Sequence, residues 1–114
     1  MKILEIKSLS IPEVKIIKSA RFHDNRGYFT ESFRIKDLTN IIEIPEYKNI
    51  KFLQGNESFS KKNVIRGLHF QHNPYMGKLV RPLYGKFIDL AMDIRKNSPT
   101  FGKIVGYELS TDVS

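Results

Sequence analysis

Cysteine is absent from the 114 residues. That removes disulfide staples and thiolate metal sites, and it is compatible with a reducing compartment. No eighteen apolar residues run together, so no membrane-spanning helix is expected. The opening Met1-Lys2-Ile3-Leu4-Glu5-Ile6-Lys7 mixes charge with apolar residues and lacks the apolar centre of a secretory signal, which makes the cytoplasm the expected location. Internal repeats, low-complexity tracts and linkers are missing as well, and the length fits one domain. So is any concentrated basic stripe. The net charge of +7 is spread over Lys15, Lys18, Arg21, Lys36, Lys51, Lys61, Lys62, Lys78 and Lys96, with no basic helix, arginine-rich arm or zinc-finger spacing. Nucleic acid is therefore not the expected partner. A solvated basic surface accounts for this charge, and a phosphate-bearing small molecule is the functional alternative.

What the chain does have is strand patterning. Glu13–Lys18 and Gly27–Phe33 are short runs rich in β-branched and aromatic residues, and His23-Asp24-Asn25-Arg26-Gly27 between them has the composition of a turn. Lys51–Phe59 and Val64–Gln71 read as further extended runs, the second broken by Asn73-Pro74. The clearest strand is Lys86–Ile94. Its period of two sets Ile88, Leu90, Met92 and Ile94 on one face, which belongs in a core, against Phe87, Asp89, Ala91 and Asp93 on the other. Lys103–Leu109 follows the Ser98–Gly102 turn as another strand, and only Arg34–Ile42 suits a short helix. About seven strands with frequent turns predict an all-β antiparallel sandwich or barrel.

One segment carries chemistry. In Asn63–Gln71 a histidine, His69, is flanked by apolar residues, with Arg66 before it and Lys78 and Arg81 after it. A base between cations suits a proton transfer on a negatively charged substrate. The alternative for His69 is a core histidine bonded to a backbone carbonyl, and for Lys78 a solvated lysine. Arg66 suits phosphate or sugar oxygens because its planar fork makes bidentate contacts. Strict alternation sends Arg66 and His69 to opposite faces; a bulge at Gly67 or a site shared with a dimer partner would each resolve this. Gln54 and Asn56 share a face by parity. No carboxylate stands at ligand spacing from a histidine, so no metal is expected, and His23 and His72 have no assigned chemistry.

Four blocks resemble the dTDP-4-dehydrorhamnose 3,5-epimerase family: Phe22–Phe33, Gln54–Ser58, Val64–Gln71 with Lys78–Arg81, and Asp89–Gly102. They stand in the family's order and near its spacings across nearly the whole chain. The resemblance implies a cupin-like jelly roll, a homodimer, and a dTDP-4-keto-6-deoxy sugar substrate handled without cofactor. It implies proton abstraction beside the C4 ketone at C3 and C5, then reprotonation from the opposite face. Such chemistry needs a base with pKa near 7, a cation at the oxyanion and an opposing acid. By resemblance His69 is the base and Lys78 the oxyanion stabiliser. Arg26 and Glu31 match positions that hold the diphosphate and base, while Gln54, Gly55, Asn56 and Arg66 contact substrate. Gly55 stands where many members have aspartate. Members continue into an Ala-His-Gly-Phe segment, a catalytic tyrosine and a late aspartate that pairs with the histidine. Residues 1–114 are thus expected to form a single epimerase-like cupin domain lacking the family's C-terminal strands. Asp89 or Asp93 could stand in for that aspartate. The competing expectation is a truncated, catalytically impaired dTDP-sugar binding or dimerisation module.

Overall fold

The computed structural model describes residues 2–42, 49 and 51–111. Three antiparallel hairpins and one short helix make up its regular structure. β1 (Ile3–Ser8) pairs with β2 (Lys15–Ser19), β3 (Phe22–Asp24) with β4 (Gly27–Phe29), and β5 (Lys86–Met92) with β6 (Ile104–Ser110). The helix α1 (Ile35–Ile41) buries Leu38, the middle of its predicted apolar side. Among the described residues no strand of one hairpin pairs with a strand of another.

Local chemistry explains each turn. Asp24 accepts a hydrogen bond from the Arg26 backbone N–H at 2.8 Å, an Asx turn that reverses the chain between β3 and β4. Leu9 N–H donates to Val14 O and Val14 N–H to Ile11 O, closing the β1–β2 loop around the buried Ile11. Thr30 Oγ1 donates to the Ala20 carbonyl at 2.7 Å and ties the second hairpin to the end of the first.

The turn after β5 is the most heavily bonded part of the molecule. Buried Asp93 accepts from Arg95 Nε at 2.9 Å, from Ser98 Oγ at 2.6 Å and from Thr100 Oγ1 at 2.5 Å. Arg95 reaches on to Glu13 at 2.9 Å, linking the third hairpin to the loop of the first. The Arg95 guanidinium holds the Asp93 carboxyl well below the usual carboxylate range; burial opposes the shift, and the Ser98 and Thr100 hydroxyls add to it.

Two expectations need correction. Lys51–Phe59 and Val64–Gln71 are not strands: no described residue between Lys51 and Pro82 enters a sheet. An extended pattern becomes a strand only where a neighbouring backbone accepts its hydrogen bonds, and among the described residues none does so for these runs. The second correction concerns β5. The face expected to be buried is open, with Ile88 66% and Leu90 54% exposed, and Ile104 on β6 continues it. On the opposite face Val105 is buried and its cross-strand partner Ala91 half-buried, while Phe87 and Asp89 stay exposed. Leu90 lies across Gly106, where a Cβ would come within 2.7 Å of its Cδ2, so glycine is what lets that side chain lie flat on the sheet.

A buried core is correspondingly thin. Ile11, Leu38 and Val105 are the buried apolar residues among those described. The chain exposes 9893 Å², whereas a folded monomer of this mass exposes roughly 6,500 Å².

Candidate functional site

A broad, open trough of about 2080 Å³ is lined by residues of the first and third hairpins and of the irregular stretch between them, where His69 and Lys78 are exposed. Ligand pockets usually measure about 300–1,000 Å³, so this is an open trough rather than a closed pocket. His69, Lys78, Gln54, Gly55 and Asn56 all line it. Gln54 Nε2 reaches Asn56 Oδ1 at 3.4 Å, which sets the two amides on one side as parity requires.

Arg26, Glu31 and Arg66 are not part of the trough wall. Arg26 pairs with Asp24 at 2.6 Å, and Glu31 is clasped by Arg34 at 2.8 and 2.9 Å. That clasp, chiefly the Arg34 side-chain hydrogen bonds, holds the Glu31 carboxyl down to about 2. Exposed pairs of this kind exchange partners at little cost. Arg66 donates to Ser60 Oγ and to the Phe59 carbonyl, both at 2.8 Å, so it folds back on its own segment. The opposite placing of Arg66 and His69 is therefore present, but the backbone between them is irregular. Gly67 has φ +118°, and the Gly67–Leu68 peptide is cis.

Gly67 is required by its backbone dihedral, φ +118°, and not by the approach of the His69 ring. A Cβ there would meet His69 N at 3.7 Å and Nδ1 at 4.0 Å, which is ordinary contact. Space is not the obstacle to a side chain; the dihedral is. Gly67→Ala should relieve its strain by shifting the exposed 66–69 backbone and His69 with it. The expected result is a shift of the His69 imidazole resonances with little change in denaturation midpoint, measured by NMR and urea unfolding.

Of the two aspartates weighed as partners for His69, Asp93 is committed to the Arg95 turn. Asp89 lines the trough beside its cross-strand neighbour Tyr107, but neither hydrogen-bonds the His69 ring. No group of three or more His, Cys, Asp or Glu among the described residues is arranged to hold a metal ion. No described helix is long and apolar enough to cross a membrane.

Residues 8–114 match the family model of dTDP-4-dehydrorhamnose 3,5-epimerase. The chain belongs to the dTDP-4-dehydrorhamnose 3,5-epimerase family. Its relatives include the Shigella flexneri enzyme of that name, 46% identical over 110 residues, which cover 96% of this chain and 59% of the relative. The Salmonella typhimurium enzyme is 46% identical over 104 residues, covering 90% and 55%. The crystal structure of the Legionella pneumophila dTDP-6-deoxy-D-glucose-3,5-epimerase in complex with dTDP-4-keto-L-rhamnose superposes with a TM-score of 0.84 at 44% identity, covering 93% of this chain and 54% of that one. The hairpins thus belong to the cupin-like jelly roll of the epimerase family. The chain spans a little over half the length of the epimerases it matches.

Two residues that sequence reasoning left unassigned stand out. Arg34 controls Glu31, and its signal was the i,i+3 spacing of opposite charges. Arg95 anchors the turn after β5, signalled by an aspartate followed at five and seven residues by hydroxyls.

Proposed function

We propose that this chain supplies the base and the oxyanion cation for inversion at C3 and C5 of a dTDP-4-keto-6-deoxy sugar, in dTDP-rhamnose-type biosynthesis in the cytoplasm. The supporting observation is that His69 and Lys78 line one trough with Gln54, Gly55 and Asn56 in a chain of the epimerase family. The His69 imidazole takes the proton from the carbon beside the ketone. The bonding pair moves into the carbon–carbon bond and the carbonyl π pair onto oxygen, where the Lys78 ammonium neutralises the enolate. Reprotonation from the other face inverts the centre. Because C3 and C5 both flank C4, one oxyanion position serves both inversions. Arg26, Glu31 and Arg66 are assigned to the nucleotide diphosphate, each exchanging its internal partner for substrate.

The acid on the opposite face and the aspartate that orients His69 are assigned to the part of the family fold this chain does not span. Residues 1–114 are assigned to one epimerase-like cupin domain, and the working unit is a homodimer. The test is incubation with the dTDP-4-keto-6-deoxy sugar in deuterium oxide. Deuterium is expected at C3 and C5; recovered substrate free of label at both carbons counts against the assignment.

A second reading is favoured by the His69 ring, which has no hydrogen-bond partner among the described residues: a dTDP-sugar binding or dimerisation module with impaired turnover. It predicts dTDP binding in a calorimetric titration without label entering either carbon. Folded protein that releases no heat with dTDP would exclude both readings.

A further inference from the structure

The segment between β4 and α1 carries an arginine that no step of the proposed chemistry uses. Thr30, Ser32 and Phe33 line the trough, while their chain neighbours Glu31 and Arg34 do not, which puts that pair at the rim. Phe33 packs against Phe52 with ring centroids 6.0 Å apart, so this rim lies against the run that leads to Gln54 and Asn56. The Arg34 backbone is held in place: the Asp37 and Leu38 N–H groups donate to its carbonyl at 3.0 and 3.1 Å, and Leu38 is buried. Its side chain is 59% exposed.

Only one edge of the guanidinium is occupied. Nε donates to Glu31 Oε1 and Nη2 to Glu31 Oε2. Nη1 makes no hydrogen bond among the described residues, and Asp37 Oδ2, 3.9 Å from Nε, is beyond hydrogen-bond reach. The Nη1–Nη2 edge is therefore open, and such an edge suits two oxygens of a phosphate. Glu31 cannot fill that role, because an ionised carboxylate only accepts hydrogen bonds. Beside a diphosphate it would also be repelled unless a cation stood with it.

We propose that Arg34 is a further substrate-binding residue, its Nη1–Nη2 edge taking oxygens of the nucleotide diphosphate while Glu31 accepts from N–H or O–H donors of the nucleoside. This role rests on the reading of the chain as a binder of dTDP sugars. It supplies the cation that lets a carboxylate share the site with a diphosphate. As Glu31 turns to the ligand, the Nε–Nη2 edge is released and becomes available to the same phosphates.

The test is calorimetric titration with dTDP and chemical-shift titration with thymidine, on wild type, Arg34→Gln and Arg34→Lys. Arg34→Gln is expected to weaken dTDP binding about tenfold or more and thymidine binding less than twofold, since thymidine carries no phosphate. Arg34→Lys keeps a cation without the fork and should lose only about threefold for dTDP. Dichroism and the urea midpoint of both variants should match wild type, because the side chain is largely exposed. Equal losses for the two probes in Arg34→Gln would mean that Arg34 acts only by holding Glu31, and unchanged dTDP affinity would mean a solvated ion pair; either overturns the proposal. So does an Arg34→Lys variant that binds dTDP as weakly as Arg34→Gln, and this comparison decides where thymidine binds too weakly to titrate. A wild-type chain that binds neither probe overturns it together with the reading it rests on, whereas wild-type binding with an indifferent Arg34→Gln removes the role of Arg34 alone.

Discussion

Under the proposed assignment, His69→Ala is expected to slow deuterium entry at C3 and C5 of the dTDP-4-keto-6-deoxy sugar by about 10² to 10⁴, the range supplied by a positioned general base. Removing the imidazole leaves the Lys78 ammonium, so the enolate remains stabilised once formed, but nothing at position 69 accepts the proton that forms it. Both carbons should lose label together, because both flank the same ketone. Binding should survive, because the proposal assigns substrate contacts to Gln54, Gly55 and Asn56, and dTDP affinity in a calorimetric titration is expected to change less than threefold. Label entering at the wild-type rate in the variant would remove His69 from the chemistry. Lost dTDP affinity would instead mean that the ring is part of the binding wall.

Asp93→Ala should unfold the turn after β5 and lower stability by about 2–4 kcal/mol, since it strands the Ser98 and Thr100 hydroxyls and one side of the Arg95 guanidinium. Urea denaturation reads this directly, and a loss below about 0.5 kcal/mol, the level of an ordinary surface substitution, would show that the network contributes little. The same carboxylate predicts an acid limb. Its folded pKa lies far below the ordinary aspartate value of about 3.9, chiefly through Arg95. A carboxylate with a depressed folded pKa stabilises fully above its unfolded pKa and loses that contribution as pH falls toward the folded one. Stability should therefore hold at neutral pH and decline below about pH 4. In Asp93→Asn this part of the decline should be missing.

What could be read from the residues depended on the range of the interactions behind them. β5, β6 and α1 were legible because their periodicity is local, and so was the Ser98–Gly102 turn. β1 was not, and its register shows why: the pairing shifts between Ile3 and Glu5, so the apolar residues never alternate cleanly. The runs around Gln54 and His69 have the composition of strands, yet whether they pair depends on backbone from elsewhere. The β5 faces were misjudged for a related reason. One face is wholly apolar and the other carries Asp89 and Asp93, so hydrophobicity alone selects the wrong one; the small Ala91 opposite Val105 marks the less exposed side. For the candidate site, motif blocks located His69, Lys78 and the Gln54–Asn56 wall. They did not reveal the Asp24–Arg26 and Glu31–Arg34 pairs, which depend on rotamers.

The Arg95–Glu13 hydrogen bond spans 82 residues. At about 5–20 residues per second of ribosomal synthesis, the first hairpin leaves the ribosome roughly 4–16 s before its guanidinium anchor exists. During that interval β1 and β2 are held by their own ladder and by the Ala20 N–H bond to the Lys2 carbonyl. A nascent chain stalled before residue 95 should therefore present the Leu9–Val14 loop to proteases, and one stalled well past residue 100 should shield it.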